Sequence, residues 1–113
     1  MNGDGFDDVI VGASGGGSGA AYVVFGKAVA TPFAASLTVS ALDGSNGFKL
    51  DGAINSDVTG RSVSGLGDIN GDGFDDVGVS GNGVSVVFGK VGGFAPSISI
   101  YRCCVSIAAI SCF

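Results

Sequence analysis

The sequence predicts an all-β protein built from repeated blades of short antiparallel strands, a propeller or a similar array, incomplete here with about two partial blades. Three observations carry that prediction. Glycine is 22 of 113 residues and charged residues are only 13%. The glycines fall in short turn pairs with no collagen period, as tight turns between short strands require. Between the turns stand short apolar runs, and these runs come in the same order twice, each time after the same aspartate-rich loop.

The loop is complete once, as Asp68-Ile69-Asn70-Gly71-Asp72-Gly73-Phe74-Asp75-Asp76. Side-chain oxygens fall at its positions 1, 3, 5 and 9 (Asp68, Asn70, Asp72 and Asp76), and Phe74 at position 7 can offer its backbone carbonyl. Gly73 at position 6 permits the sharp turn. This is the ligand rhythm of a short calcium loop, because calcium takes six to eight oxygens in a flexible shell. Magnesium demands stricter octahedral geometry and keeps its waters, so calcium is the better fit. The same loop, less its first residue, opens the chain as Asn2-Gly3-Asp4-Gly5-Phe6-Asp7-Asp8, with Asn2, Asp4, the Phe6 carbonyl and Asp8 as candidate ligands. All ten acidic residues are Asp, and seven of them lie in the two loops. Turn formation accounts for single aspartates. It does not account for the same spacing occurring twice.

In chain order, Val9-Ile10-Val11-Gly12-Ala13 is a short apolar strand, Gly15 to Gly19 a turn, and Ala21-Tyr22-Val23-Val24-Phe25 a second strand ended by Gly26-Lys27; the pair reads as a β-hairpin. Residues 28–46 are ambiguous. Phe33, Leu37 and Ala41 fall at helical spacing, but Leu37-Thr38-Val39 is β-rich and Asp43-Gly44 is a turn signal, so a loop with a short outer strand is expected. Phe48-Lys49-Leu50 alternates and reads as an edge strand. Arg61-Ser62-Val63-Ser64-Gly65-Leu66 leads into the complete loop. Val77-Gly78-Val79-Ser80 and Val84-Ser85-Val86-Val87-Phe88 then repeat the hairpin, ending again in Gly89-Lys90.

The repeat is explicit. Asp8-Val9-Ile10-Val11 aligns with Asp76-Val77-Gly78-Val79 at a shift of 68, Val23-Val24-Phe25-Gly26-Lys27 with Val86-Val87-Phe88-Gly89-Lys90 at 63, and Phe33-Ala34-Ala35-Ser36-Leu37 with Phe94-Ala95-Pro96-Ser97-Ile98 at 61. The falling shift places extra residues in the first copy, mostly at its glycine-rich hairpin tip, where insertions are tolerated. Residues 1–53 therefore read as a first repeat and spacer, and 54–100 as a second. Residues 101–113 diverge: they are apolar and hold all three cysteines, Cys103, Cys104 and Cys112. That tail reads either as an edge strand or as a shifted frame or assembly end. The cysteines are odd in number and carry no zinc spacing. Repeated blades bury their faces against neighbours, so the partners expected are adjacent blades or further copies, and the chain reads as a fragment of a longer array or a unit that assembles.

Other classes are excluded by composition. Five scattered basic residues give no nucleic-acid footprint. With no His, neither a Ser-His-Asp triad nor a His-ligated metal is possible. No apolar run approaches a membrane span, and no secretory signal is visible, since Met1 abuts a motif. Paired aspartates such as Asp75 and Asp76, or Asp43 and Asp51, could be cast as the acid and base of a hydrolase. No nucleophile–base pair accompanies them, and no catalytic residue is assigned.

Three families use the loop spacing. An EF-hand needs a bidentate Glu at position 12 and flanking helices; here position 12 is Val79 and the flanks are strands. A dockerin-type loop fails likewise. The run Gly60-Arg61-Ser62-Val63-Ser64-Gly65-Leu66-Gly67-Asp68-Ile69-Asn70-Gly71-Asp72-Gly73-Phe74-Asp75-Asp76-Val77 closely resembles the FG-GAP repeat of integrin α-subunit propellers and of bacterial surface and secreted proteins. In the first copy, Val9-Ile10-Val11-Gly12-Ala13 is similar to the end of that motif, with Ser14 for its proline, and Tyr22-Val23-Val24-Phe25-Gly26 resembles its closing strand. Thr59 stands before Gly60 where the family has phenylalanine. The resemblance implies four-stranded propeller blades, calcium in the loop between the first two strands, an extracellular or cell-surface setting, and an adhesive role toward a protein or glycan ligand. It also leaves room for a piece of a larger secreted protein without independent function, or the propeller part of a hydrolase.

Overall fold

A computed structural model describes residues 1–15, 17–28, 33, 35–52, 59–81, 83–100 and 110–112. The strands are β1 (Val9–Ala13), β2 (Ala20–Val24), β3 (Gly47–Gly52), β4 (Ser62–Gly67), β5 (Asp76–Ser80), β6 (Val84–Val87), β7 (Ser97–Ile100) and β8 (Ile110–Cys112). They form two four-stranded sheets, ordered β1-β2-β3-β7 and β4-β5-β6-β8. Among the described residues the only helical element is a single 3-10 turn, Val39–Ala41, and no helix is long and apolar enough to cross a membrane. The fold is all-β, in two blades.

The repeat in sequence is a repeat in space. The β1–β2 hairpin pairs antiparallel with Val11 opposite Tyr22, and β5–β6 pairs likewise with Val79 opposite Ser85. β3 pairs antiparallel with β2, setting Phe48 opposite Val23 and Lys49 opposite Tyr22. β8 takes the same place in the second blade, with Ser111 opposite Val86 and Cys112 opposite Ser85. Both of these strands thus sit at the register the shift of 63 demands, although Ile110-Ser111-Cys112 shares nothing with Gly47-Phe48-Lys49 in sequence. The edge reading of the divergent tail holds for these three residues. Cys103 and Cys104 lie outside the described residues.

Two expectations for the first blade need correction. Phe48-Lys49-Leu50 is not at an edge. β7, from beyond the second hairpin, pairs in parallel with β3, with Leu50 opposite Ile98, and makes β3 an interior strand. This blade is therefore antiparallel except at its fourth strand. Leu37-Thr38-Val39 is not a strand either: it leads into the 3-10 turn. A short β-rich stretch becomes a strand only where an open edge accepts its backbone bonds.

Alternation along β2, β3 and β5 sends every second side chain inward. Ala21, Val23, Phe25, Phe48, Leu50, Val77, Val79, Val87 and Phe94 form one buried cluster, joined at its rim by Met1, Ile10, Val63 and Ile98. Strands from both blades contribute, so the two share a core. Phe48 and Phe94 stack at its centre, ring centroids 4.4 Å apart and planes inclined 17°. The blades also meet at Thr59-Gly60. Thr59 N donates to Ser18 O at 2.9 Å, and Gly60 N to Ser80 O at 3.1 Å. Gly60 has φ +87°, and a Cβ there would run into Ala20 O and Ala13 N. Only glycine suits both the dihedral and the space.

Candidate metal centre

Each aspartate loop leads into the first strand of a hairpin, β1 at the edge of the first sheet and β5 inside the second, and the two loops lie side by side. The Phe74 ring covers Gly3 so closely that a Cβ there would displace it. Met1 O accepts from Lys90 N at 3.0 Å and Asn2 O from Gly92 N at 3.2 Å. The first loop is therefore seated on the end of the second blade.

Within the loops the hydrogen bonds repeat atom for atom. Asp72 Oδ1 accepts from Phe74 N at 3.0 Å and Oδ2 from Asn70 Nδ2 at 3.2 Å. Asp4 Oδ1 accepts from Phe6 N at 3.0 Å and Oδ2 from Asn2 Nδ2 at 3.1 Å. These are the local turns that short Asp and Asn side chains make with their own backbone. The complete loop adds Asp68. Its Oδ1 accepts from Gly71 N at 2.9 Å and Asp72 N at 3.1 Å, and its Oδ2 from Gly73 N at 2.7 Å. The Gly73 amide, then those of Asp72 and Gly71, hold the Asp68 carboxyl below its ordinary 3.8. Hydrogen bonds to the charged form favour it.

Position 9 is different in kind. Asp76 is fully buried. Its Oδ1 accepts from Gly89 N at 2.8 Å and its Oδ2 from Ile69 N at 2.9 Å. Asp8 does the same in the first blade: Oδ1 accepts from Gly26 N at 2.8 Å, and Oδ2 from the Met1 amino group at 2.6 Å, in the place of Ile69 N. Each carboxylate latches the start of its loop to the end of the hairpin's second strand. A Cβ on Gly26 would strike Asp7 O, and one on Gly89 would strike Asp75 O. The glycines of the two Gly-Lys pairs are thus required for the latch. The sequence signal for this is the repetition of Phe25-Gly26-Lys27 as Phe88-Gly89-Lys90, which by itself marks only a strand end.

The donor chemistry fits a hard cation in part. Asp68, Asn70 and Asp72 are exposed, and Gly71 and Gly73, at φ +74° and +91°, have no atom near their Cβ positions, so the loop has room to turn. Asn2 Oδ1 is buried and has no hydrogen-bond partner among the described residues. Such an orphan acceptor is uncommon and calls for a water or ion as its partner. Asp76 accepts one bond per oxygen and keeps lone pairs to share. Among the described residues, however, no three acidic or thiol side chains are gathered closely enough to hold an ion. Asp68, Asn70 and Asp72 would have to swing inward around it.

Two four-stranded sheets, each carrying an aspartate loop latched to the hairpin that follows it, define a β-blade repeat protein. Residues 1–24, spanning the first loop, β1 and β2, match the family model of the FG-GAP repeat. The match falls on the copy with the shortened loop; the second copy shares its strand order, register and latch. No curated protein and no solved structure matches the chain.

Proposed function

We propose that the chain is a calcium-binding FG-GAP blade pair with a structural and adhesive role and no catalysis of its own. The observation that carries this reading is the twin loop. Two neighbouring loops offer all-oxygen donor sets at the same spacing, and one of their acceptors, Asn2 Oδ1, is buried and unsatisfied among the described residues. Calcium would be held by Asp68, Asn70, Asp72, the Phe74 carbonyl and Asp76, and more weakly by Asn2, Asp4, the Phe6 carbonyl and Asp8. The ion would offset the clustered negative charge and fix the loop that enters β5, so that binding reads out as folding stability. A small exposed loop that must rearrange suits the weak affinities, about 10⁻⁴–10⁻³ M, of extracellular calcium modules. An extracellular or cell-surface setting, where calcium is plentiful, follows from that.

The adhesive part rests on exposed apolar side chains. Val9, Val11, Leu66 and Ile69 lie on the surface of β1, β4 and the complete loop. Blades cover such faces with neighbours or with a protein or glycan ligand. Calorimetric titration with calcium chloride tests the metal reading: saturable heat is expected, weaker with magnesium, and largely lost in Asp72→Ala. Absence of heat at millimolar calcium would refute it.

A further inference from the structure

Equivalent residues of the two repeats are buried unequally. The segment 94–98 corresponds to 33–37 at a shift of 61. In the second copy this segment lies along the first blade. Phe94 N donates to Gly44 O at 2.9 Å, and Lys49 N to Pro96 O at 2.9 Å. Ser97 Oγ donates to Asp51 Oδ2 at 2.8 Å, and β7 pairs in parallel with β3. Phe94 stacks on Phe48, with Lys90 Nζ 5.0 Å from its ring centroid, and is 7% exposed.

The first copy keeps the lysine and lacks the rest. Lys27 Nζ lies 4.5 Å from the Phe33 ring centroid. Among the described residues no ring stacks on Phe33, and no strand lies against residues 35–39. Phe33 is 50% exposed, Leu37 44% and Val39 42%. An open groove lined by Phe33, Leu37, Phe25 and Leu42 runs beside them. Residues seated along a blade in one repeat have exposed counterparts in the other, with no strand against them among the described residues.

We propose that Phe33 and residues 35–39 form a docking surface for a further blade, one that presents an outer strand like residues 43–51: an Asp-Gly turn followed by Gly-aromatic-x-aliphatic-acid. The chemistry is set by what the second copy uses. A turn carbonyl placed like that of Gly44 takes the Phe33 N–H, an aromatic placed like Phe48 stacks on the Phe33 ring, and an acid placed like Asp51 takes the Ser36 hydroxyl. β3 meets these terms, but β7 already occupies its edge, so the receiver is a blade other than the two described. This inference does not depend on calcium.

The test is an NMR titration of the isotope-labelled full chain with a synthetic peptide of residues 41–52, followed at the amides of Phe33 and residues 35–39. Saturable shifts are expected there, with affinity reduced at least tenfold by Phe33→Ser in the chain or by Phe48→Ser in the peptide. Phe33 is exposed, so its replacement leaves the fold intact. Unchanged spectra at millimolar peptide, shifts confined to residues 93–100, or undiminished affinity in Phe33→Ser would each overturn the proposal. None of these outcomes touches the 68–76 loop, so the calcium reading stands or falls separately.

Discussion

At the scale of single residues, Asp8 and Asp76 hold equivalent positions and make equivalent bonds, each joining its loop to a glycine amide at the end of the hairpin. The loop positions 1, 3, 5 and 7 were legible in sequence because ligand spacing is a local property. The latch was not. An aspartate at position 9 looks the same whether it faces an ion or a backbone amide 13 residues away. Asp76→Ala leaves the Gly89 and Ile69 amides without an acceptor and is expected to cost about 2–4 kcal/mol in urea denaturation. Gly89→Ala meets the Asp75 carbonyl and is expected to cost about 1–3 kcal/mol by the same measurement. Asp68 adds a pH dependence. Its folded-state pKa is depressed by the Gly73, Asp72 and Gly71 amides, so its contribution is present above the ordinary 3.8 and is lost as pH falls through the lower folded value. A carboxyl NMR titration of Asp68 should show a midpoint below 3.8, returning toward that value when denaturant opens the loop.

At the scale of elements, hairpins β1–β2 and β5–β6 were readable to within a residue, since each is a local alternation bounded by turn residues. The outer strands were not, because their identity depends on what lies beside them. Leu37-Thr38-Val39 has strand chemistry and, among the described residues, joins no sheet. Ser97–Ile100, its counterpart, finds β3 and becomes β7. Ile110–Cys112 has no sequence likeness to Gly47–Gly52 and still fills the same slot on β6. Phenylalanines at one repeat position should therefore differ in worth. Phe94→Ala removes a buried ring stacked at the core and is expected to cost about 3–5 kcal/mol, while Phe33→Ala at the surface should stay within about 0.5 kcal/mol. Paired urea melts of the two variants check this. Equal costs would mean that the two segments are seated alike.

At the scale of the molecule, one buried cluster ties both blades together through Phe48, Leu50, Val77, Val87 and Phe94. The two loops sit together at one end, bridged by Phe74 over Gly3 and by Met1 O on Lys90 N. Ordering one loop by a cation should thus steady both blades at once, and ion binding should appear in the global melt. The most direct test is thermal unfolding with and without calcium. In calcium at about 10–100 times Kd the melting temperature should rise by about 5–10 °C. The rise should be smaller in magnesium and should nearly vanish in Asp72→Ala. A melting temperature unchanged across millimolar calcium, or a rise undiminished in Asp72→Ala, would contradict the assignment of residues 68–76 as a calcium loop.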